Sequence, residues 1–322
     1  MKQRKIPELK PLFKERMQNL LSKNDYKKYL EILKILPVKS IRCNTLKISV
    51  EKLKEKLKAK KWDISQPFKE HPEIIIIKSE LEPGELGRSL EHVLGYYYIQ
   101  EIASMLPVLV LNPKENELIL DLCSAPGSKT TQIAAKIKNT GTIIANEVSL
   151  GRIKILASNT ERCGVTNVII TKKDGAKLCK RLKESNLKFD KILLDAPCSG
   201  EGTLRSSYRT YKMWNINTIK QMSRIQKRLF EAAFKILKPQ GEIVYSTCTH
   251  APEENEEIVN FALEKFKDSI KIEKINLPVK TRQGILKWRD KEYSEDVKFA
   301  CRIYPQDNNT EGFFIAKFKK IK

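Results

Sequence analysis

Up to about Leu36 the apolar residues Leu12, Phe13, Met17, Leu20 and Leu21, then Tyr26, Tyr29, Leu30, Ile32 and Leu33, recur at helical spacing and predict a helical lead-in. Ser40–Lys47 reads as a strand, Ser49–Lys60 as a basic amphipathic helix opened by Ser49 as N-cap, and Glu73–Lys78 as a second strand. Pro83-Gly84 marks a turn, and Tyr96–Leu111 forms an apolar helical stretch that breaks at Asn112-Pro113. Together these elements predict a small α+β domain over residues 1–111.

From Glu117 the pattern changes to strands alternating with helices. Leu118–Leu122, Thr142–Glu147, Asn167–Asp174, Lys191–Asp195 and Glu242–Thr247 read as strands. The clearest helix is Thr218–Lys238, with Ile219, Met222, Ile225, Leu229, Ala232, Ala233, Ile236 and Leu237 on one face, ending at Pro239-Gln240-Gly241. Such alternation predicts an α/β fold over residues 112–322: a doubly wound, mostly parallel, Rossmann-like sheet with helices on both faces. Gly312–Phe318 alternates like a final edge strand.

A chain of 322 residues is long enough for two such cores, and 41% hydrophobic against 31% charged residues argues against disorder. The longest apolar runs, Met105–Leu111 and Ile74–Ile77, fall far short of the roughly 20 residues that cross a bilayer. The charged start at residues 1–5 leads into no signal-peptide core, so a cytoplasmic protein with no membrane partner is expected. The net charge of +22 points to a polyanionic partner, nucleic acid first. Residues 1–70 carry 20 Lys/Arg against 8 Asp/Glu, a balance of +12, which places the positive face on the N-terminal domain. A Lys-rich composition is the plainer source of the same charge. Seven cysteines without paired spacing make neither a disulfide framework nor a zinc site. Three histidines, His71, His92 and His250, leave no His-based metal site, so no metal is expected and proton transfer falls to carboxylates, Lys or water.

In an open α/β sheet, ligands bind at the carboxyl ends of the strands. After the first strand comes Asp121-Leu122-Cys123-Ser124-Ala125-Pro126-Gly127-Ser128-Lys129-Thr130, a turn of small residues that lets a ligand approach the backbone. It lacks both the Gly-x-Gly-x-x-Gly of a dinucleotide site and the upstream glycine of a P-loop. Glu147 closes the second strand about 26 residues past Asp121, near the spacing at which a carboxylate meets ribose hydroxyls, and Asp174 closes the third. Three acidic strand ends suit an adenosine ligand with a free ribose and no phosphates, a description that S-adenosylmethionine meets. The fourth strand runs into Asp195-Ala196-Pro197-Cys198-Ser199-Gly200 and the fifth into Ser246-Thr247-Cys248-Thr249, which brings two cysteines to neighbouring strand ends. Cys43, Cys163, Cys179 and Cys301 read as small core residues.

With these motifs, followed by Pro252-Glu253-Glu254-Asn255-Glu256, the chain resembles the Sun family of RNA (cytosine-5) methyltransferases, and among them the archaeal tRNA type. Arg42-Cys43-Asn44-Thr45, Tyr98-Ile99-Gln100-Glu101 and Gly312-Phe313-Phe314 also look like family elements, so the resemblance covers nearly the whole chain. It implies a Rossmann-like methyltransferase sheet in which Cys248 attacks the base and Cys198 helps release the product. It further implies a cofactor site made by Cys123, Ser124, Ala125, Pro126, Gly127, Ser128 and Lys129 with Glu147, Arg152, Asp174 and Asp195. The sequence departs from the pattern in the loop Thr203–Tyr208 and at Gln306, where a His is expected after Pro305.

Carbon 5 of cytosine takes a methyl group only after a thiolate adds at carbon 6, so covalent catalysis is required. A free thiol with pKa ~8.5 is largely protonated at neutral pH, and Lys129 and the cofactor's sulfonium are expected to favour the thiolate. Asp195 is placed to hold or protonate ring nitrogen 3. The target base must be unstacked, with the basic N-terminal domain contacting phosphates and Tyr208, Tyr211 and Trp214 as stacking candidates, core packing being the plainer role for Trp214. Transfer RNA is favoured over ribosomal RNA, and a monomer is expected. A DNA cytosine-5 methyltransferase using Cys198, and a non-catalytic RNA-binding scaffold, are the competing readings.

Overall fold

The computed structural model describes residues 5–322; the first four residues of the charged start lie outside them. Two helices, α1 (Pro11–Leu20) and α2 (Lys23–Leu33), form the lead-in. A four-stranded antiparallel sheet follows, built from β1 (Lys39–Cys43), β2 (Ile64–Ser65), β3 (Ile74–Ile77) and β4 (Tyr97–Ile99) in the order β2-β3-β1-β4. Helix α3 (Val50–Ala59) packs Val50, Leu53 and Leu57 on it; its cap is the expected one, Ser49 Oγ accepting from the Lys52 amide. Two single turns, α4 (Glu85–Arg88) and α5 (Leu90–Val93), lead into β4.

The stretch Tyr96–Leu111 is not one helix. Tyr97–Ile99 pairs antiparallel with Ile41–Cys43, and helix α6 starts only at Ile102 and runs to Leu111. An apolar run carries no period, so pairing with β1 decides the first three residues. The first strand also ends early: Asn44 leaves the ladder, its Nδ2 donating to the carbonyls of Gly95 and Cys163 at 2.8 Å.

The large sheet takes β5 (Leu118–Asp121), β6 (Thr142–Glu147), β7 (Val168–Lys172) and β8 (Phe189–Asp195), with helices α7 (Ser128–Lys136), α8 (Leu150–Arg162) and α9 (Gly175–Glu184) between them. After α10 (Tyr208–Met213) and the long α11 (Ile216–Lys235) come β9 (Leu237–Thr247), α12 (Glu256–Phe266) and β10 (Ile270–Glu273). The short strands β11 (Arg282–Gln283), β12 (Lys287–Trp288), β13 (Lys291–Glu292) and β14 (Cys301–Ile303) precede the turn α13 (Pro305–Asn308) and the last strand, β15 (Phe313–Lys320). The sheet order is β11-β14-β15-β9-β8-β5-β6-β7, with β10 also on β15; β9 through β7 are parallel and the β15 side is antiparallel. β15 is therefore interior, not an edge strand. Phe313–Ala316 are all buried, because helices cover both faces at that point and alternation fails.

The lead-in helices do not belong to the small sheet. Phe13, Met17, Tyr29 and Leu33 pack with Leu204, Tyr211, Trp214, Ala251 and Tyr304 from loops of the large sheet. Among the described residues no helix is long and apolar enough to cross a membrane.

Candidate active site

Strand β5 delivers Asp121 into the interior, where Thr130 Oγ1 donates to its Oδ2 at 2.7 Å while Oδ1 has no partner. Burial pushes this carboxyl up to about 7. The turn after it is tied to β6, since Ser124 N–H and Oγ–H both reach the Asn146 carbonyl at 2.9 Å. Gly127 opens α7 with φ +102°, and a Cβ there would stand 3.0 Å from Leu156 Cδ1, so the turn requires glycine.

Glu147, at the end of β6, is 3% exposed. Its Oε1 accepts from the Ser149 amide at 2.9 Å and its Oε2 pairs with Arg152 at 3.0 Å; Arg152 also donates to the Ala125 carbonyl. Asp174 caps α9 by accepting from the Lys177 amide at 3.1 Å, and its second oxygen pairs with Arg228 at 2.8 Å. Asp195 is held from two sides: Lys129 Nζ lies 2.8 Å from Oδ2, and Ser246 Oγ donates to Oδ1 at 2.7 Å. Lys129 spends a further hydrogen on Ser104 Oγ at 3.0 Å, so its charge is directed at Asp195.

Because β8 and β9 are parallel neighbours in register, Asp195 opposite Ser246, the loops that leave them run side by side. This sets Cys198 Sγ 3.3 Å from Cys248 Sγ. Contact with Cys248, then burial, pushes the Cys198 thiol well above its ordinary value. Behind Cys198, Glu254 Oε2 accepts from the Ser199 amide at 3.0 Å and from Gln226 Nε2 at 2.9 Å, and Gln226 also reaches the Pro197 carbonyl at 2.8 Å. Burial raises the Glu254 carboxyl to about 8. The Pro252–Glu256 motif thus braces the cysteine loops: Asn255 Nδ2 donates to the Thr249 carbonyl at 3.0 Å, and Glu256 pairs with the buried Arg302.

Three cavities meet here. One of about 540 Å³ is lined by Cys123, Ala125, Pro126, Glu147, Arg152, Asp174, Asp195, Cys198 and Cys248, with Met222, Ile225 and Leu229 of α11 as an apolar wall. A second, of about 430 Å³, is lined by Lys39, Ser40, Glu101, Lys129, Thr203, Glu311 and Phe313 and shares Asp195 and Cys248 with the first. A third, of about 360 Å³, joins them along Asp121, Cys123–Pro126, Ser128 and Lys129. The expected site residues all line one of these except Gly127, whose part is the turn. Cys248 lines the first and second cavities, Cys198 only the first, and Asp195 all three.

The residues fit an adenosylated amino acid. Glu147 offers a buried carboxylate, α11 an apolar wall, and the unpartnered Asp121 Oδ1 an acceptor for an ammonium. Met222, Ile225 and Leu229 are legible in sequence only as a core stripe, since a helix face packed on a ligand has the same period as one packed on a sheet. No sequence pattern points to the role of Arg42: its guanidinium, pushed down to about 10 by burial, bonds Gln100, the Ser128 carbonyl at 2.7 Å and Thr131 Oγ1 at 2.8 Å. It pins β1 to the start of α7. Of the stacking candidates, Tyr211 and Trp214 are buried, Trp214 Nε1 donating to Glu201 Oε1 at 2.7 Å, and only Tyr208 is exposed.

Many enzymes bind a ligand across the carboxyl edge of a doubly wound sheet. Here a thiol pair stands between such a ligand cavity and a second cavity lined partly by the basic N-terminal domain, and likeness to known proteins makes this one a methyltransferase acting on RNA. The chain belongs to the family described as 16S rRNA methyltransferase RsmB/F, whose pattern matches residues 108–319, and residues 9–102 match the N-terminal domain of 16S rRNA methyltransferase RsmF. A Pyrococcus abyssi protein named tRNA (cytosine(49)-C(5))-methyltransferase is 43% identical over 281 residues, covering 87% of this chain and 88% of its own. The ribosomal RNA small subunit methyltransferase F of Aliivibrio fischeri is 42% identical over 285 residues, but the chain spans only 58% of that protein's length. The crystal structure of a methyltransferase homolog protein from Pyrococcus horikoshii superposes with a TM-score of 0.83 at 34% identity, covering 96% of this chain and 94% of its own.

Proposed function

We propose that the protein transfers a methyl group from S-adenosylmethionine to carbon 5 of a cytosine in transfer RNA, as a cytoplasmic monomer with Cys248 as nucleophile. The observation that carries the assignment of the two thiols is their placement: Cys248 borders both large cavities, whereas Cys198 borders only the one with the acidic strand ends. In this reading the cofactor is held by Cys123–Lys129, Glu147, Arg152, Asp174 and Asp195. The target base enters the cavity bounded by Lys39, Ser40 and Phe313. Residues 1–111 grip the RNA and residues 112–322 carry out the transfer. Support for transfer RNA is the likeness to the Pyrococcus abyssi protein over most of both chains.

S-adenosylmethionine, when bound, supplies an electrophilic methyl group. Cys248 adds its sulfur to carbon 6 of the ring, which makes carbon 5 nucleophilic. Asp195, fixed by Lys129 and Ser246, delivers a proton to ring nitrogen 3 as negative charge develops there. After methyl transfer a base takes the proton from carbon 5 while the carbon 6–sulfur bond breaks and Cys248 leaves as thiolate, and Cys198, 3.3 Å from Cys248, is the group placed to assist that step. The braced loops fix both sulfurs, so little reorganisation is needed during the reaction.

Incubating the purified protein with S-adenosylmethionine and unmodified RNA, followed by nucleoside mass spectrometry and bisulfite mapping, tests the proposal. 5-Methylcytosine in a tRNA transcript is the expected product. Methylation of small-subunit ribosomal RNA alone would replace the substrate, and methyl groups on ribose or on an exocyclic nitrogen would remove the mechanism.

A further inference from the structure

Helix α11 has two working flanks. Met222, Ile225 and Leu229 wall the ligand cavity, while Lys220, Ser223, Arg224 and Lys227 face a separate groove of about 330 Å³. The far side of that groove is the β12–β13 hairpin, which contributes Trp288, Arg289 and Lys291. The groove thus lies about one helix diameter, roughly 10 Å, from the reacting centre.

Charge in the groove stays positive once the internal pairs are set aside, three unpaired cations among the described residues standing against one exposed carboxylate, Asp290. Glu253 is taken by Arg16 at 2.7 Å and by Trp288 Nε1 at 3.1 Å. Glu257 is shared between Lys227 at 2.7 Å and Lys291 at 2.9 Å. Lys220, Arg224 and Arg289 form no ion pair among the described residues, and all three are exposed. Arg289, at the hairpin tip, has φ +56°, a conformation that Gly or Asn adopts more cheaply than Arg. The side chain lies over the Trp288 ring at 5.9 Å and lines the groove.

We propose that this groove is a second RNA-backbone site, in which Lys220, Arg224 and Arg289 receive phosphates of the strand flanking the target base; the inference rests on reading the protein as an RNA methyltransferase. Trp288 is 6% exposed and its N–H is already spent on Glu253, so the groove has no free aromatic face for a base. It reads charge and spacing, not sequence, and positions the strand across α11 while the N-terminal domain holds it on the other side.

The test compares the intact protein with Arg289→Gly and with Lys220→Ala/Arg224→Ala, measuring affinity for an unmodified tRNA transcript across a salt series. For each phosphate no longer neutralised, the slope of log affinity against log salt should shrink by about 0.7–0.9, with weaker binding at low salt. Arg289→Gly separates the proposal from a structural role, because removing the positive-φ Arg should leave the thermal midpoint unchanged or raised while RNA affinity falls. Variants that bind with the wild-type affinity and slope overturn the inference alone. Wild-type protein that fails to bind the transcript overturns it together with the proposed function.

Discussion

Cys198 and Cys248 stand 3.3 Å apart and share the ligand cavity, but only Cys248 also borders the second one, so their loss should have opposite signatures. Cys248→Ala is expected to abolish methylation and any covalent enzyme–RNA species. Cys198→Ala should permit attack but slow elimination, so that an adduct accumulates as a shifted band on a denaturing gel. An adduct that persists in the first variant and vanishes in the second would exchange the two roles and favour the DNA-type mechanism. The acids of the ligand cavity need different substitutions. Glu147→Ala should weaken S-adenosylmethionine binding by about 1–3 kcal/mol in calorimetry. Asp174 also caps α9, so Asp174→Asn, which keeps the cap, is the cleaner variant. Glu254 sets a pH dependence of its own. Its folded pKa of about 8 lies above the ordinary carboxyl value, so the folded state binds more protons than the unfolded one in between. That stabilisation is complete below the unfolded value and is lost as pH rises through about 8. Glu254→Gln removes the titration, and its melting temperature should gain on wild type between pH 5 and pH 9, each kcal/mol appearing as roughly 2 °C. A constant difference across that range would exclude Glu254 as the titrating group. Strand-end acids and cysteines are legible in sequence because topology fixes where strand ends go. Glu254 and Gln226 are not assignable that way, because their partners, Ser199 and Pro197, come from another loop.

At the scale of elements, strand β15 closes the sheet between β14 and β9 and carries the site's floor with it. Just before it, the Gly312 amide donates to the Gly202 carbonyl and the Gly202 amide to the Cys248 carbonyl, each at 2.9 Å, so three loops are stacked by single hydrogen bonds. A Cβ on Gly312 would stand 2.2 Å from His250 Cε1 and 2.9 Å from Gly202 Cα. Gly312→Ala should therefore cost about 1–3 kcal/mol and displace Cys248. The check is a lowered thermal midpoint together with reduced methylation at a temperature where the variant is still folded; an unchanged midpoint would mean that the loops are free to separate. Element types follow from hydrophobic period wherever one face is wet, as in α3 and α11. Period fails where a run is apolar throughout. Tyr97–Ile99 reads as helix and Phe313–Phe318 as an edge strand, because only the partner strand tells such runs apart.

Over the whole molecule, the +12 balance of residues 1–70 and the cover that α1 and α2 give to Trp214 and Tyr304 pull in different experimental directions. Deleting the N-terminal part would strip apolar surface from the remainder, so its contribution to RNA binding is better read by neutralising charge. Lys52, Lys56 and Lys58 lie exposed on α3. Replacing all three with Gln should flatten the salt dependence of tRNA binding by up to about 0.7–0.9 per phosphate released, with the thermal midpoint little changed. An unaltered slope would move the grip elsewhere on the molecule. The interior position of β15 has a consequence in time. A ribosome adds roughly 5–20 residues per second, so several seconds separate the emergence of β9 from that of the strand that must lie beside it. Throughout that interval β9 waits with an open edge, and α1 and α2, made earlier, wait for Tyr304 before they can seat fully. The nascent chain therefore assembles the cysteine pair only after residue 313 has emerged, and a product arrested before that residue has no completed cysteine site.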